Sequence, residues 1–221
     1  MTQPPSLLPV FPLTGVLLLP GMWQPLHIFE PRYRNMAEDA WAGDKHIGMV
    51  QPVVPRQDNS PTPDAPPENP EIFPIGCAGL MDQFERSVDG RIYLQLRGIC
   101  RFRILRELPL HRGYRRVEAD YAPYAGDTAP PATRDSAPLV EAVLRFGKDH
   151  KMAFDAARLQ ALPSAALING LSMSLPFAPV EKQALLEAEG FAEREALLLA
   201  LMEMRDSGHG DPGGGLAPPV N

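Results

Sequence analysis

Prolines and glycines interrupt every apolar run of the N-terminal segment, and this limits what the segment can form. The run at residues 16–19 ends at Pro20, whereas a membrane-spanning helix needs about 20 consecutive apolar residues. The first basic residue, Arg32, follows the apolar runs, so the pattern is not that of a secretion signal. Each run has the length of a strand, and proline is tolerated at strand edges. The segment is therefore predicted to form strands, with no membrane contact.

The sequence changes to a helical period after residue 30. Pro31 suits the first position of a helix, and Gly43 suits its end. Glu30 is expected to stabilise the helix N-terminus as a cap. The apolar residues between these ends recur on one face: Tyr33, Met36, Ala37, Ala40 and Trp41. We predict a helix of about three turns with one buried face.

Alternating apolar and polar residues predict strands before and after this helix, and again from residue 75 to residue 124. Asp89-Gly90 lies between two β-rich runs and predicts a hairpin with a type I′ turn. Arg101 and Arg103 alternate with Phe102 and are expected to face solvent. With about six or seven strands and one embedded helix, the pattern favours a small antiparallel barrel or sandwich over a βαβ fold.

The rest of the chain is predicted to be helical, with segments near 139–147, 164–174, 179–189 and 191–205. We expect a β domain at residues 1–124, a helical lobe at 125–207 and a disordered tail at 208–221. Residues 56–71, rich in Pro, Asp and Asn, are expected to form a flexible loop inside the β domain.

Charge and cysteine content exclude several function classes. The formal net charge of −6 disfavours a broad basic surface for nucleic acid. Cys77 and Cys100 have neither a CxxC partner nor a His at metal-ligand spacing, so no zinc site or disulfide framework is indicated. We expect reduced, buried thiols, a cytoplasmic location, and no metal or cofactor.

The sequence contains no P-loop, GxSxG or HExxH motif, and its histidines are scattered. A general-base role for His27 would use Glu30 as its orienting carboxylate, but the strand position of His27 predicts a solvent-facing side chain. A hydrolase would need His27, His46 or His111 beside a carboxylate and a hydroxyl in one cleft. No catalytic residue is predicted, and the chain is expected not to be an enzyme.

Three stretches carry a family resemblance: PLTGVLLLPG with PLHIFEPR, then GRIYLQLRGICRFRI, then PVEKQALLE. Together they closely resemble the N-terminal substrate-binding domain of ATP-dependent Lon proteases, over residues 7–205. The resemblance implies an α+β fold: a PUA-like pseudo-β-barrel with one embedded helix, followed by a C-terminal helical lobe. It also implies binding of unfolded or tagged protein segments. Walker and Ser-Lys peptidase motifs are absent from the sequence, so neither ATPase nor protease activity is expected.

Four apolar residues are predicted to contact a bound protein: Met22, Trp23, Met81 and Phe84. Trp23 has an alternative role as a plug of the barrel end. Our first hypothesis is a stand-alone binding module, an adaptor in protein quality control that cooperates with a separate protease. The alternative is a PUA-like RNA- or small-ligand-binding module, which would use a basic strip. That strip would contain Arg97, Arg101, Arg103, Arg106, Arg112, Arg115 and Arg116.

Overall fold

The computed structural model describes residues 4–53, 69–129 and 134–208. Its first half contains β1 (Leu7–Pro12), β2 (Trp23–Ile28), α1 (Pro31–Ala42), β3 (His46–Val50), β4 (Ile75–Arg86), β5 (Ile92–His111) and β6 (Tyr114–Asp120). A 3-10 segment (Ala122–Thr128) leads to α2 (Ala137–Asp149), α3 (Ala156–Ala161), α4 (Ser164–Ser174), α5 (Pro179–Glu187) and α6 (Phe191–Gly208). The predicted tail beyond residue 208 lies outside the described residues, as does the predicted loop up to residue 68.

The six strands of the described residues form one sheet in the order β2-β5-β4-β3-β1-β6, and β6 also pairs with the second half of β5. Five of the six pairings are antiparallel. The pairing of β1 with β3 is parallel, with Val10 opposite Gly48. The prediction of an all-antiparallel sheet is therefore wrong for this pair, because β2 and α1 form a crossover that returns the chain in the same direction.

One turn of the sheet differs from the sequence prediction, and a second turn was not predicted. The hairpin at Asp89-Gly90 is present, but Gly90 alone of these two has a positive φ, at 81°. The type I′ prediction is wrong here because the connection is longer, with the backbone N–H of Ser87 donating to Arg91. Arg112 and Gly113, between β5 and β6, both have positive φ, at 47° and 86°. This two-residue connection has the signature of a type I′ turn.

The buried apolar residues form three clusters among the described residues. One lies between the sheet and α1, a second lies among the sheet and the 3-10 segment, and the third lies within the helices from α2 to α6. Leu186 of α5 belongs to the cluster under the sheet. The helical part therefore shares a core with the strands, and contacts between the two parts contribute to the stability of both.

Side chains of the PVEKQ segment at the start of α5 join the helices to the sheet. The Lys182 Nζ donates to the carbonyl oxygens of Gly15 and Met173, both at 3.0 Å. The Gln183 Nε2 donates to the carbonyl oxygen of Ile75 at 3.1 Å, and its Oε1 accepts from Gln51. Burial lowers the pKa of Lys182. The PVEKQ segment, which is part of the family resemblance, thus has a structural role.

Arg101 is a buried link between β5, the 3-10 segment and α5. It is 3% exposed, and its guanidinium donates to both carboxylate oxygens of Asp127, at 2.9 and 2.8 Å. Its Nη1 also donates to the carbonyl oxygens of Leu186 and Ala188. The prediction that Arg101 faces solvent is wrong because residues 98–102 of β5 are buried on both faces. Arg115 is buried as well, with Glu107 as its partner.

Cys77 and Cys100 are free and buried, as the sequence predicted. Burial and the nearby Asp127 carboxylate raise the pKa of Cys100 to about 11, and burial raises the pKa of Cys77. A neutral-pH thiol reagent should therefore label Cys100 in the folded protein more than about 100-fold more slowly than in concentrated guanidinium chloride. Timed labelling with mass spectrometry on Cys100→Ser and Cys77→Ser variants tests each site. Equal rates in the folded and unfolded chain would contradict the assignment.

Candidate protein-binding surface

Strand β2 has a free edge. It pairs along its whole length with β5, from Trp23 opposite Arg97 to Ile28 opposite Ile92. Every other strand of the described residues has at least two neighbours, whereas β2 has one. The backbone groups on its other side therefore have no strand partner in the described part of the chain. Pro25 lies within the strand and contributes no N–H to it.

Alternation along the sequence WQPLHI fixes the two faces of β2. Leu26 and Ile28 are buried in the core under the sheet, and Trp23, Pro25 and His27 are exposed. Because successive side chains of a strand point to opposite faces, the exposed residues share the outer face. The buried residues hold the strand in register against β5.

An apolar pocket of about 260 Å³ borders the free edge. Its lining includes residues 24–30 of β2 and the following turn. The other lining residues come from the end of β1, from the segment after it and from α1: Phe11, Pro12, Leu13, Val16 and Tyr33. No β5 residue belongs to the described lining. The pocket therefore lies on the side of β2 that faces away from β5, where a chain added to β2 would place its side chains.

The outer face of β2 and β5 carries exposed aromatic side chains. Trp23 is 43% exposed, and the Arg97 guanidinium lies 5.9 Å from the centre of its ring. The rings of His27 and Tyr93 stack at 4.6 Å with an interplanar angle of 2°. Phe29 lies 5.6 Å from His27 in an edge-on arrangement. We call this set the outer aromatic face: Trp23, His27, Phe29, Tyr93 and Arg97.

Of the four predicted contact residues, Trp23 lies on this face, and its exposure contradicts the alternative of a buried plug. Phe84 is half-buried and stacks on Trp41 at 5.3 Å, while it also lines a cavity of about 790 Å³ with His27 and Tyr93. Met22 is half-buried and packs against the core under the sheet.

Met81 is 2% exposed and lies in the core under the sheet, opposite the buried Leu96. A partner at the surface of the folded chain does not reach it, and the prediction of Met81 as a contact residue is corrected. Sequence reasoning placed Met81 near the β4–β5 hairpin, but a register shift follows it and turns the next residues outward. The face of Met81 is decided by this irregularity, which alternation does not show.

Sequence reasoning missed Tyr93 and Phe29. The alternation of Tyr93 with Ile92 and Leu94 showed that its side chain faces outward. Its stacking on His27 depends on the register between β2 and β5, which no local pattern reports. Phe29 follows the strand directly, and only the turn into α1 places it beside His27.

The three histidines of the hydrolase hypothesis lie on three different strands. His27 stacks on Tyr93, and the His46 Nδ1 lies 2.6 Å from the carbonyl oxygen of Asp44. His111 lies 3.7 Å from the Asp39 carboxylate, which the Arg112 guanidinium also contacts. Burial lowers the pKa of His46. These contacts give the hydrolase hypothesis no support.

The basic strip predicted for RNA binding is not contiguous. Arg101 and Arg115 are buried and paired with carboxylates. Arg106 pairs with Glu118, and Arg112 pairs with Asp39. In the part of the chain that the structure describes, no helix is long and apolar enough to span a bilayer, and no group of three His, Cys, Asp or Glu could hold a metal ion.

The sheet and helices together define a mixed α+β domain. Residues 7–204 match the family model of the ATP-dependent protease La (LON) substrate-binding domain, and the chain belongs to this family. The resemblance predicted from sequence is thereby confirmed. The matched model covers the substrate-binding part of such proteases and not their ATPase or protease parts.

Two Lon proteases with similar sequences are much longer than this chain. It is 33% identical over 101 residues to the Lon protease of Dictyoglomus thermophilum, covering 46% of this chain and 12% of that protein. It is 26% identical over 208 residues to the Lon protease of Flavobacterium johnsoniae, covering 90% of this chain and 24% of that protein. The chain thus spans a quarter or less of the length of these relatives.

Two solved structures have the same fold. The Lon N-terminal domain protein from Xanthomonas campestris matches with a TM-score of 0.60 at 24% identity, covering 88% of this chain and 98% of the other. The N-terminal domain of Lon protease from the Mycobacterium avium complex matches with a TM-score of 0.59 at 18% identity, covering 89% of this chain and 98% of the other.

Proposed function

We propose that this chain binds extended segments of other protein chains by adding them as a strand to the free edge of β2. The observation that carries the proposal is that β2 alone, among the described strands, has a single neighbour. Strand addition supplies main-chain hydrogen bonds that do not depend on the bound sequence. Such pairing suits a domain whose family is defined by substrate binding.

The surroundings of β2 supply apolar contacts for the side chains of the bound segment. The 260 Å³ pocket has room for one side chain on the inner side of the edge. Trp23 and Phe29 provide apolar surface on the outer side. Large exposed aromatic residues are enriched at protein interfaces, where they often contribute most of the binding energy.

The finer architecture forms part of the same proposal. We interpret the pairing of β6 with both β1 and β5 as closure of a PUA-like pseudo-β-barrel, from which β2 projects as an extra strand. Residues 1–124 would form this β domain, and residues 125–207 the helical lobe. The separate apolar cluster of α2 to α6 supports this division.

In this proposal the chain acts by binding, in the cytoplasm, as an adaptor that delivers unfolded or tagged segments to a separate protease. It needs no ATPase or peptidase chemistry of its own. The alternative, RNA binding, has one favourable observation: the stacked and exposed His27–Tyr93 pair lies on the same face as Arg97. RNA binding would weaken steeply with salt, and peptide binding at β2 would weaken far less.

Substituting His27 tests strand addition. Backbone N–H groups two residues apart in a strand point to the same side, so the His27 N–H lies on the side where Pro25 has none. If that side is the free edge, His27→Pro should weaken binding of a C-terminally amidated peptide of alternating valine and lysine by about tenfold. Fluorescence anisotropy measures the affinity.

His27→Ala is the matched control, since it removes the same side chain but keeps the backbone donor. Its affinity for the amidated peptide should stay within about threefold of the unsubstituted chain. Circular dichroism checks that both variants are folded. Equal affinities of a folded His27→Pro and His27→Ala would count against pairing at this edge.

A further inference from the structure

Two adjoining cavities lie between the first part of β5 and helices α4 and α6. The larger has a volume of about 430 Å³ and the smaller about 180 Å³. The two cavities share four lining residues: Pro20, Asp127, Asn169 and Phe191. We therefore treat them as one space and call it the Arg194 cleft, after the arginine that lines its smaller part. The combined space is in the size range of small-molecule sites, about 300 to 1,000 Å³.

The larger part of the Arg194 cleft is mainly apolar. Met22 and Ile99 line it from the sheet side, and Ala165 and Ala166 line it from α4. Both alanines are half-buried, so their small side chains leave the space open. This part of the cleft suits a branched aliphatic group.

The smaller part contains a buried guanidinium without a carboxylate partner. Arg194 is 3% exposed, and its Nε donates to the carbonyl oxygen of Leu185 at 2.7 Å. Its Nη1 donates to the Asn169 Oδ1 at 3.0 Å, and its Nη2 has no hydrogen-bond partner among the described residues. Both acceptors are neutral, and burying a cation without a counter-charge is unfavourable.

The two carboxylates that line the smaller part do not pair with the positive charge of Arg194. The Arg101 side chain and backbone N–H use both oxygens of Asp127. Glu189 is the other acidic residue of the described lining, and it is exposed to solvent. Burial and the neighbouring positive charge of Arg101 lower the pKa of Arg194 to about 10. The group therefore stays charged at neutral pH.

The N-terminal end of α6 adds to the positive potential. Gly190 and Phe191 line the smaller part, and α6 continues from Phe191 to Gly208. A helix of this length carries a partial positive charge at its first turn. The smaller part is thus bordered by three positive groups: Arg101, Arg194 and this helix end. Arg101 is paired with the Asp127 carboxylate, whereas Arg194 bonds only to neutral acceptors.

We propose that the Arg194 cleft binds an aliphatic carboxylate, with the carboxylate group at Arg194 and the alkyl group between Met22 and Ala166. Because the Arg194 side chain lines the smaller part, a carboxylate bound there would supply the missing counter-charge. The ligand could be a free branched acid or the C-terminus of a protein chain that ends in an apolar residue. The site lies apart from the β2 edge and does not depend on strand addition there.

Calorimetric titration of the whole chain with N-acetyl-leucine and with N-acetyl-leucinamide tests the proposal. The acid should bind at least about tenfold more tightly than the amide, because the amide has no charge for Arg194. A short peptide ending in leucine as the free acid distinguishes the two sources. Tighter binding of this peptide assigns the site to protein C-termini, and binding no tighter than N-acetyl-leucine assigns it to small acids.

Two variants check the site. Arg194→Met should abolish the preference for the acid over the amide. Ala166→Leu fills the apolar part without changing any charge, and should weaken the acid at least about fivefold if Arg194→Met does not fold. Equal binding of acid and amide to the unsubstituted chain, or no binding of either, would overturn the proposal. Neither result bears on the amidated peptide that probes β2.

Discussion

Arg101→Met should lower the free energy of unfolding by about 3 to 5 kcal/mol. The substitution leaves the Asp127 carboxylate without its bidentate partner, and the Asp127 side chain is only 11% exposed. It also removes the donor to the carbonyl oxygens of Leu186 and Ala188. Urea denaturation followed by circular dichroism measures the loss.

Arg106→Met is the matched control for this effect. The Arg106 guanidinium pairs with Glu118 on the surface, and its side chain is 69% exposed. Exposed ion pairs contribute about 1 kcal/mol or less, so this variant should change stability little. If the two variants lose similar stability, the ion pair of Arg101 does not join β5 to the 3-10 segment in the way we describe.

A second substitution separates the cost of the lost pair from the cost of the charge left behind. Replacing Asp127 with leucine in the Arg101→Met background removes the unpaired carboxylate. We expect this double variant to recover part of the stability that Arg101→Met loses, since a buried charge alone is worse than no charge. A double variant less stable than Arg101→Met would contradict this reading.

Gly98→Ala should also be severely destabilising, by at least about 3 kcal/mol. A Cβ at this position would lie 2.1 Å from the carbonyl oxygen of Leu19 and 2.8 Å from its carbon. The two segments are hydrogen-bonded, from Gly21 to Gly98 and from Gly98 to Met22. They cannot move apart to admit a methyl group without breaking these bonds.

Gly126→Ala is the control for this prediction. A Cβ there would have no atom within 4 Å, and Gly126 does not have a positive φ. Its stability should stay within about 0.5 kcal/mol of the unsubstituted chain. Thermal unfolding of both variants gives the comparison, and a Gly98→Ala chain as stable as the control would refute the close approach. The glycine of the RGIC stretch is thus explained by backbone contact.

The sequence by itself determined most of the local structure. The helix predicted from Pro31 to Gly43 is α1, and the helices predicted near 139–147 and 164–174 lie within α2 and α4. The outward face of His27 was also predicted. These features depend on side-chain periodicity and on Pro and Gly at helix ends, which act over one or two turns. The family followed from the same stretches of sequence.

Only the tertiary structure decided which strand residues stay exposed. A register shift between β4 and β5 places Arg101 opposite the buried Cys77, where it bonds to the end of α5, whereas Trp23 opposite Arg97 stays exposed. The free edge of β2, the parallel pairing of β1 with β3, and the unpaired guanidinium of Arg194 likewise arise from contacts between distant segments. Periodicity reports the direction of a side chain relative to its own strand, whereas burial depends on what packs against that strand.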